Sequence, residues 1–192
     1  MERFDSLRFP LHSANFLSVA VIIPAVNEEL SIGKVLRDIP SDVQWVIVAD
    51  NGSTDGTARA AREQGAQVVS EPRRGYGFAC LAGIAKLPAG AEIVVFMDGD
   101  YSDYPAEVTD LVCALIEHQA DLVIGSRVLG EREKGSLTPQ QRFGNWLSTR
   151  MIRVLYGFSY TDLGPFRAIR ADALQRLNMQ DVTYGWTVEM QV

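Results

Sequence analysis

The sequence contains Glu92-Ile-Val-Val-Phe-Met-Asp98-Gly99-Asp100-Tyr-Ser-Asp103, in which an apolar run passes directly into a group of carboxylates. An uninterrupted apolar run between polar residues is typical of a strand that is buried on both faces of a parallel sheet. Gly99 allows the backbone to turn sharply, so that Asp98 and Asp100 can aim at one point. Open α/β sheets bind ligands at the carboxyl ends of their strands, which is where we expect this turn.

Asp98 and Asp100 are therefore the candidate metal ligands. Carboxylate oxygens on a loop suit a hard divalent cation, here Mg²⁺ or Mn²⁺, and such a cation suits a diphosphate. The alternative is a solvated acidic turn, which is the common meaning of an isolated Asp-x-Asp. The buried strand that precedes the turn favours the metal site.

The composition is that of one globular domain with an uneven distribution of charge. The chain has 192 residues, of which 47% are hydrophobic and 22% charged, and its net charge of −6 argues against a nucleic-acid partner. Residues 1–125 carry 18 acidic and 9 basic side chains, a net of −9, whereas residues 126–176 carry 9 basic and 4 acidic, a net of +5. An acidic half joined to a basic half fits a protein that handles anionic substrates.

Nothing in the sequence indicates export or a membrane span. Cys80 and Cys113 are isolated in predicted helices, which favours free thiols in a reducing compartment. Residues 1–5 are charged and no apolar core with a cleavage site follows them. The longest apolar stretch, residues 16–26, is interrupted and too short to cross a bilayer. We expect a cytoplasmic protein, or one peripheral to the cytoplasmic face of a membrane.

Short apolar runs alternate with amphipathic segments along residues 18–125. The predicted strands are Ser18–Pro24, Gln44–Ala49, Ala66–Ser70, the run before Asp98, and Asp121–Gly125. The predicted helices are Ser31–Ile39, one ending near Gln64 that Ser53 or Thr54 could cap, Phe78–Leu87 and Pro105–Gln119. This alternation predicts an α/β fold, with a Rossmann-like, doubly wound, mostly parallel sheet flanked by helices.

The alternation of predicted strands and helices ends after Gly130. Pro139–Leu155 is predicted to be a helix that also carries Arg142, Arg150 and Arg153. One side of it is apolar and is formed by Phe143, Trp146, Leu147, Met151 and Leu155. Such a helix is usually half-buried with a solvated basic face, and a membrane-surface role is the alternative. A short strand, Phe166–Arg170, follows. The helix that starts near Trp186 is too short to hold itself, so we expect the natural chain to continue past Val192.

Several motifs in the same order carry a resemblance to a known family. They are Ile23-Pro24-Ala-Val-Asn27-Glu28, Asp50-Asn-Gly-Ser-Thr-Asp-Gly-Thr57, Arg74-Gly-Tyr-Gly77, Asp98-Gly-Asp100, Gly125-Ser-Arg127 and Asp162 to Arg167. Together they resemble family-2 glycosyltransferases of the nucleotide-diphospho-sugar (GT-A) fold, and are similar to the dolichyl-phosphate mannose and glucose synthases. The resemblance implies a single domain over 1–192, with a donor and metal half at 18–125 and an incomplete acceptor half at 126–192.

The resemblance assigns donor roles to the residues after the first four strands. Pro24 and Glu28 would line the nucleoside pocket, and Asp50 would accept a hydrogen from the base. As an alternative, Asp50 could merely begin a turn. The donor-binding set that the resemblance implies is Pro24, Glu28, Asp50, Arg74, Gly75, Gly77, Asp98 and Gly99. Of these, Arg74, Gly75 and Gly77 would belong to a loop that closes on the donor.

The resemblance places the acceptor on the basic half. Arg127 follows the fifth strand, which we expect to neighbour the strand before Asp98, and an arginine fork suits a phosphate. Arg142 and Arg167 could join it or be ordinary surface arginines. The chain departs from the family pattern at Asn51, where a second aspartate is common, and at Gly164-Pro165, where the polyprenyl-phosphate enzymes tend to have Ser-Gly.

These features imply a metal-dependent transfer of a hexose from a nucleotide-diphospho-sugar to a polyprenyl phosphate, with Asp100, Arg127 and Asp162 as candidate catalytic residues. An ionised phosphate acceptor needs no strong base, whereas a hydroxyl acceptor would need one, and Asp162 would be the candidate. One rival is a sugar-nucleotide nucleotidyltransferase, but its glycine-rich basic loop is absent from residues 25–29. A non-catalytic nucleotide-sugar binding protein on the same fold is the other rival.

Overall fold

The computed structural model describes residues 17–126, 139–183 and 185–192, with the backbone alone at 139–143 and 145. Its strands are β1 (Val19–Ala25), β2 (Trp45–Asp50), β3 (Gln67–Ser70), β4 (Ile93–Phe96), β5 (Leu122–Ile124) and β6 (Arg167–Arg170). They form one sheet in the order β3-β2-β1-β4-β6-β5. β1 pairs in parallel with β2 and β4, and β2 pairs in parallel with β3. The predicted mostly parallel α/β sheet is confirmed.

β6 is the antiparallel member of the sheet and lies between β4 and β5. The expectation that the strand before Arg127 neighbours the strand before Asp98 is therefore wrong. Sequence order suggested that β5 would pair with β4, but the later strand β6 takes that place. β4 and β5 still run in the same direction, since both are antiparallel to β6, so their carboxyl ends lie at the same edge.

The helices differ from the prediction mainly at their ends. They are α1 (Ile32–Asp38), α2 (Thr57–Glu63), α3 (Tyr76–Ile84), α4 (Val108–Glu117), α5 (Pro139–Tyr156), α6 (Ala171–Leu177) and α7 (Trp186–Glu189), with a 3₁₀ turn at Pro105–Glu107 before α4. α3 starts before Phe78 and so includes Gly77, and α6 was not predicted. The residue at the N-cap of α2 is Gly56 rather than Ser53 or Thr54.

Alternate side chains of the central strands enter two apolar layers. Val21 and Val95 face a layer that α1, α2 and α4 cover, and Ile22 and Phe96 face a layer covered by α3, α6 and α7. Strands buried on both faces must be apolar at every position, which explains the uninterrupted run before Asp98. Among the described ranges, no helix is both long and apolar enough to cross a membrane.

Candidate nucleotide-sugar and metal site

Three predicted site residues lie at the carboxyl ends of β2 and β4, the two strands that flank β1. Asp50, the last residue of β2, is level with Ala25, the last residue of β1. On the other side of β1, the turn after β4 packs against that same strand end: a Cβ placed on Gly99 would lie 3.3 Å from the Cβ of Ala25. The structure thus brings Asp50, Asp98 and Asp100 to one edge of the sheet.

The turn that holds the two predicted metal ligands is fixed by its own carboxylates. The main-chain nitrogen of Asp98 donates to Oδ2 of the buried Asp103 at 3.1 Å, and that of Ser102 donates to Oδ1 of Asp100 at 2.9 Å. Asp98 is half-buried and Asp100 is exposed. A hard cation needs oxygen ligands that remain accessible, and these two carboxylates fit Mg²⁺ or Mn²⁺. In the described ranges no group of three or more His, Cys, Asp or Glu side chains is placed to hold a metal.

Asp50 both begins a turn and retains an oxygen for a ligand. Its side chain is largely buried, and its Oδ1 accepts a hydrogen bond of 3.1 Å from the main-chain nitrogen of Ser53. Among the described residues, no donor reaches its Oδ2. The turn-forming interpretation of Asp50 is therefore observed, and it leaves one carboxylate oxygen for the predicted contact to a base.

The rest of the Asp50–Thr57 motif holds the loop that follows β1. Ser53 Oγ accepts from the nitrogen of Asn27 at 2.9 Å, and Thr57 Oγ1 accepts from the nitrogen of Glu28 at 2.7 Å. Asp55 accepts from the nitrogen and hydroxyl of Thr57, and this hydroxyl bond is the main cause of its lowered pKa. These side chains are committed to backbone N–H groups, so Ser53 does not cap α2 as predicted.

Pro24 and Glu28, the two predicted nucleoside contacts, differ in accessibility. Pro24 is buried within β1 and is level with Ala49 of β2. Glu28 is half-buried, and its Oε2 accepts a hydrogen bond of 2.6 Å from Ser31 Oγ. Of these two side chains, Glu28 is the one that can reach a ligand.

The loop between β3 and α3, residues 71–75, is fixed by one amide side chain. Nδ2 of the buried Asn51 donates to the carbonyl oxygens of Glu71 and Arg73 at 3.1 and 2.6 Å, and Gly75 donates its N–H to Oδ1 at 2.9 Å. Arg74 Nη2 donates to the carbonyl oxygen of Gly52 at 2.9 Å. The predicted donor loop therefore lies against the turn that starts at Asp50.

The glycines of this loop allow a close approach by a distant segment. Gly75 has a φ of +148°, and a Cβ on Gly75 or Gly77 would overlap the carbonyl oxygens of Val182 and Asp181, respectively. Phe78 also donates its N–H to the carbonyl oxygen of Val182 at 3.2 Å. In this structure, residues 181–182 are the reason that glycine is required at 75 and 77.

Arg167 is buried instead of exposed, contrary to both interpretations made from the sequence. It is 1% exposed, and its guanidinium donates to the carbonyl oxygens of Leu163 at 3.2 Å, of Thr187 at 3.0 Å and of Gly164. Burial lowers the pKa of Arg167, while nearby acidic groups, Asp98 among them, raise it. Because its donors serve main-chain carbonyls, Arg167 stabilises the protein rather than facing a soluble acceptor.

The other predicted acceptor residues are only partly described. Arg127 and the side chain of Arg142 lie outside the described residues. Asp162 is 1% exposed, and its Oδ1 accepts from the nitrogen of Leu163 at 2.8 Å. A buried carboxylate of this kind is a poor candidate for a base that must reach a hydroxyl acceptor.

Helix α5 has an apolar stripe that is exposed. Among its described side chains, Ile152 is the buried hydrophobic one, whereas Met151, Val154 and Leu155 are 52%, 77% and 68% exposed. The half-buried interpretation placed Met151 and Leu155 in the core and was wrong about these side chains. Spacing shows that residues share a helix face, but it does not show whether that face meets the core.

Glu189 is a further fixed carboxylate that sequence reasoning missed. Its Oε1 and Oε2 accept from the nitrogens of Gln180 and Asp181, both at 2.8 Å. Glu189 thus holds the segment that crosses Gly75 and Gly77. Its partners are backbone groups, which leave no residue-type signal in the sequence.

The fold and the arrangement of carboxylates agree with a match to a known family. The model of the family described as glycosyl transferase family 2 matches residues 20–177. The chain belongs to glycosyltransferase family 2.

Individual family-2 relatives cover most of the chain. An uncharacterized glycosyltransferase of Mycobacterium tuberculosis is 38% identical over 176 residues, which are 91% of this chain and 78% of that protein. The undecaprenyl-phosphate mannosyltransferase of Micrococcus luteus is 32% identical over 190 residues, with 91% of this chain and 76% of that protein covered.

A solved family-2-like structure confirms the expected GT-A fold. Glucosyl-3-phosphoglycerate synthase from Mycobacterium tuberculosis, in complex with Mn²⁺, uridine-diphosphate-glucose and phosphoglyceric acid, has a TM-score of 0.71 and is 27% identical. The match covers 90% of this chain and 63% of that one, so this chain spans less than two thirds of that protein.

The two positions at which the chain departs from the family-2 pattern, Asn51 and Gly164-Pro165, both take part in hydrogen bonds to the main chain or from a buried side chain. The amide of Asn51 donates to two carbonyl oxygens, which a carboxylate could not do. The carbonyl oxygen of Gly164 accepts from the guanidinium of Arg167. The second departure therefore lies beside a buried arginine.

Proposed function

We propose that this protein transfers a hexose from a nucleotide-diphospho-sugar to a polyprenyl phosphate, with Mg²⁺ or Mn²⁺ as cofactor. The observation that carries the proposal is the convergence of Asp50, Asp98 and Asp100 at the ends of β2 and β4, the two strands that flank β1. The solved relative with Mn²⁺ and uridine-diphosphate-glucose supports the donor class.

Each of these residues has a distinct task on the donor. Oδ2 of Asp50 would accept an N–H from the base, which selects uracil or guanine over bases that offer no N–H at that position. Asp98 and Asp100 would hold the cation, and the cation, when bound, neutralises charge on the leaving diphosphate. Arg74 would contact the phosphates, since it uses one of its five donors on Gly52.

A phosphate acceptor fits the chemistry around Asp162 better than a hydroxyl does. A phosphate is already ionised at neutral pH and can attack the sugar without a strong base. Asp162, the candidate base for a hydroxyl, is buried. The relative that is an undecaprenyl-phosphate mannosyltransferase supports a lipid-linked phosphate.

The exposed stripe on α5 supports a lipid acceptor presented at a membrane surface. Leu147, Met151, Val154 and Leu155 recur at helical spacing, and residues 139–156 contain arginines but no acidic side chain. Apolar side chains flanked by cations are typical of a helix that lies in the interface of an anionic bilayer.

Release of the nucleotide tests the reaction. UDP- and GDP-hexoses are incubated with the protein and Mn²⁺, with and without polyprenyl phosphate in detergent. We expect release that requires both the metal and the lipid phosphate. Release driven by phosphoglyceric acid or by a hydroxyl acceptor, but not by lipid phosphate, would overturn the acceptor. If no UDP- or GDP-sugar raises the Tm, the donor class is wrong.

Sedimentation with vesicles tests the membrane surface separately. Vesicles that contain anionic lipid should carry the protein down, and replacing Met151 and Leu155 together by Gln should prevent this. Leu177→Gln is the matched control, because Leu177 is an exposed leucine at the end of α6. Equal sedimentation of all three proteins would exclude α5 as the contact.

A further inference from the structure

The geometry of the β3–α3 loop points to Asn51 as a positioning residue for the donor. We propose that its amide places Arg74 beside the turn that starts at Asp50, and that an aspartate at position 51 would weaken donor binding. This inference rests on the proposed function, because it requires a nucleotide-sugar to bind next to Asp50. The observation behind the inference is independent of that function. The buried side chain of Asn51 makes three hydrogen bonds, two as donor and one as acceptor.

The partners of Asn51 fix which of its two side-chain ends is the donor. Two carbonyl oxygens, those of Glu71 and Arg73, lie at one end of the carboxamide, and the N–H of Gly75 lies at the other. Rotating the amide by half a turn would place oxygen against oxygen and N–H against N–H, so the observed orientation is set by the partners. Each end of the amide is thus matched to its loop contacts.

Asn51 joins the loop to the core of the sheet. Its own nitrogen donates to the carbonyl oxygen of Ala25 at 2.8 Å, and the nitrogen of Glu71 donates to the carbonyl oxygen of Asp50 at 2.8 Å. The loop therefore leaves the sheet next to Asp50 and is held there at Glu71, Arg73 and Gly75. A loop fixed at both ends carries its arginines in one position, which lowers the entropy lost when an anion binds.

The two arginines of the loop differ in how many donors they have left. Arg73 makes a bidentate contact to Glu71 at 2.8 and 2.7 Å, and its guanidinium lies 4.4 Å from the ring centre of Phe78. The side chain of Arg74 makes one bond, to Gly52. Arg73 thus spends two of its five N–H donors and pairs its charge with Glu71, whereas Arg74 spends one donor and has no carboxylate partner among the described residues. Arg74 is therefore the arginine of this loop better suited to a diphosphate.

An aspartate at position 51 would keep one of the three contacts and oppose the other two. One carboxylate oxygen could accept from Gly75, but the other would face the carbonyl oxygens of Glu71 and Arg73. Protonation of that carboxyl would restore one donor, and burial among carbonyl oxygens favours the protonated form. The defect of Asn51→Asp should therefore become smaller as the pH falls.

The experiment measures the Kd of a UDP- or GDP-sugar with Mn²⁺ between about pH 8 and about pH 5.5. We expect Asn51→Asp to bind on the order of tenfold more weakly at the higher pH and to recover affinity as the pH falls. Asn27→Asp adds the same charge in the neighbouring loop, where the side-chain Oδ1 of Asn27 accepts from Thr54 and its Nδ2 donates to no described residue. Any loss of donor affinity in Asn27→Asp measures the general repulsion between an added negative charge and the diphosphate. This loss should not become smaller as the pH falls, unlike the loss in Asn51→Asp.

A second variant covers the case in which Asn51→Asp does not fold. Asn51→Ala removes all three contacts without adding charge, and should weaken donor binding with no pH dependence of its own. Donor affinity equal to that of the unmutated protein in both Asn51 variants, whatever their Tm, would reduce Asn51 to a purely structural role and overturn the inference. Absence of donor binding in the unmutated protein would instead overturn the proposed function.

Discussion

The main-chain nitrogen of Phe78 donates a hydrogen bond of 3.2 Å to the carbonyl oxygen of Val182. This bond joins the start of α3 to a segment more than one hundred residues later in the chain. Glu189 holds the same segment through two backbone nitrogens, and Thr187 accepts from the buried Arg167. The start of α3 and the strand β6 are therefore connected through residues 180–183 and 185–189.

Gly77→Ala should destabilise the protein. The added methyl group would overlap the carbonyl oxygen of Asp181, and because that oxygen is backbone it cannot move aside cheaply. We expect a loss of about 1–3 kcal/mol in the free energy of unfolding, measured by urea titration. Gly144→Ala, in α5 with nothing near the added methyl, is the control and should stabilise by about 0.5–1 kcal/mol. Equal effects would contradict the close approach of residues 181–182.

Asp100→Asn should abolish metal-dependent donor binding with little change in the free energy of unfolding. Asp100 is exposed at a strand end, so its replacement creates no cavity but removes a charged ligand of the cation. Calorimetric titration of the donor with and without Mn²⁺ measures the effect. Glu117→Gln, an exposed carboxylate at the end of α4, should bind as the unmutated protein does. Unchanged Mn²⁺-dependent affinity in Asp100→Asn would exclude this metal site.

Arg167→Met should cost about 3 kcal/mol of unfolding free energy, because it leaves the buried carbonyl oxygen of Gly164 and the partly buried ones of Leu163 and Thr187 without their donor. Arg170→Met is the matched control in the same strand. The exposed Arg170 makes an ion pair of 3.4 Å with Asp172, which is worth about 0–1 kcal/mol. If Arg167→Met were no less stable than Arg170→Met, the structural role of Arg167 would be wrong.

Glu71→Gln should remove part of the acid sensitivity of the protein. The hydrogen bonds from Arg73 lower the pKa of the Glu71 carboxyl from its ordinary value of 4.5 to about 2. A depressed pKa in the folded state means that the unfolded state binds the proton more readily, so this contribution is complete above about pH 4.5 and is lost as the pH falls toward 2. The difference in unfolding free energy between the two proteins should therefore shrink over that range. A constant difference would show that Glu71 is not held by Arg73.

The strands and the strand-end carboxylates could be predicted because each depends on a local pattern. The apolar run before Asp98 must be apolar on both faces, and the residue after such a strand lies at the ligand-binding edge. Asp50 was assigned by the family resemblance, and it too lies at the end of a strand. The antiparallel insertion of β6 could not be found this way, because strand order depends on contacts between residues far apart in the sequence.

The features that prediction missed are contacts between side chains and distant backbone. Asn51 was noted as a departure from a family pattern, yet its three partners are main-chain atoms of residues 71–75. Arg167 was expected at the surface because arginine is rarely buried, but main-chain carbonyls compensate for its burial. Backbone atoms are the same in every residue type, so the sequence carries no sign of them.

The place of β6 between β4 and β5 constrains the order in which the chain can fold during its synthesis. β5 pairs only with β6 among the described strands, and 42 residues separate Ile124 from Arg167. At ribosomal rates of about 5–20 residues per second, β5 waits on the order of several seconds without a strand partner. The four parallel strands β1–β4 can assemble during that interval, whereas the two-stranded edge must form late, as a unit, after β6 has emerged.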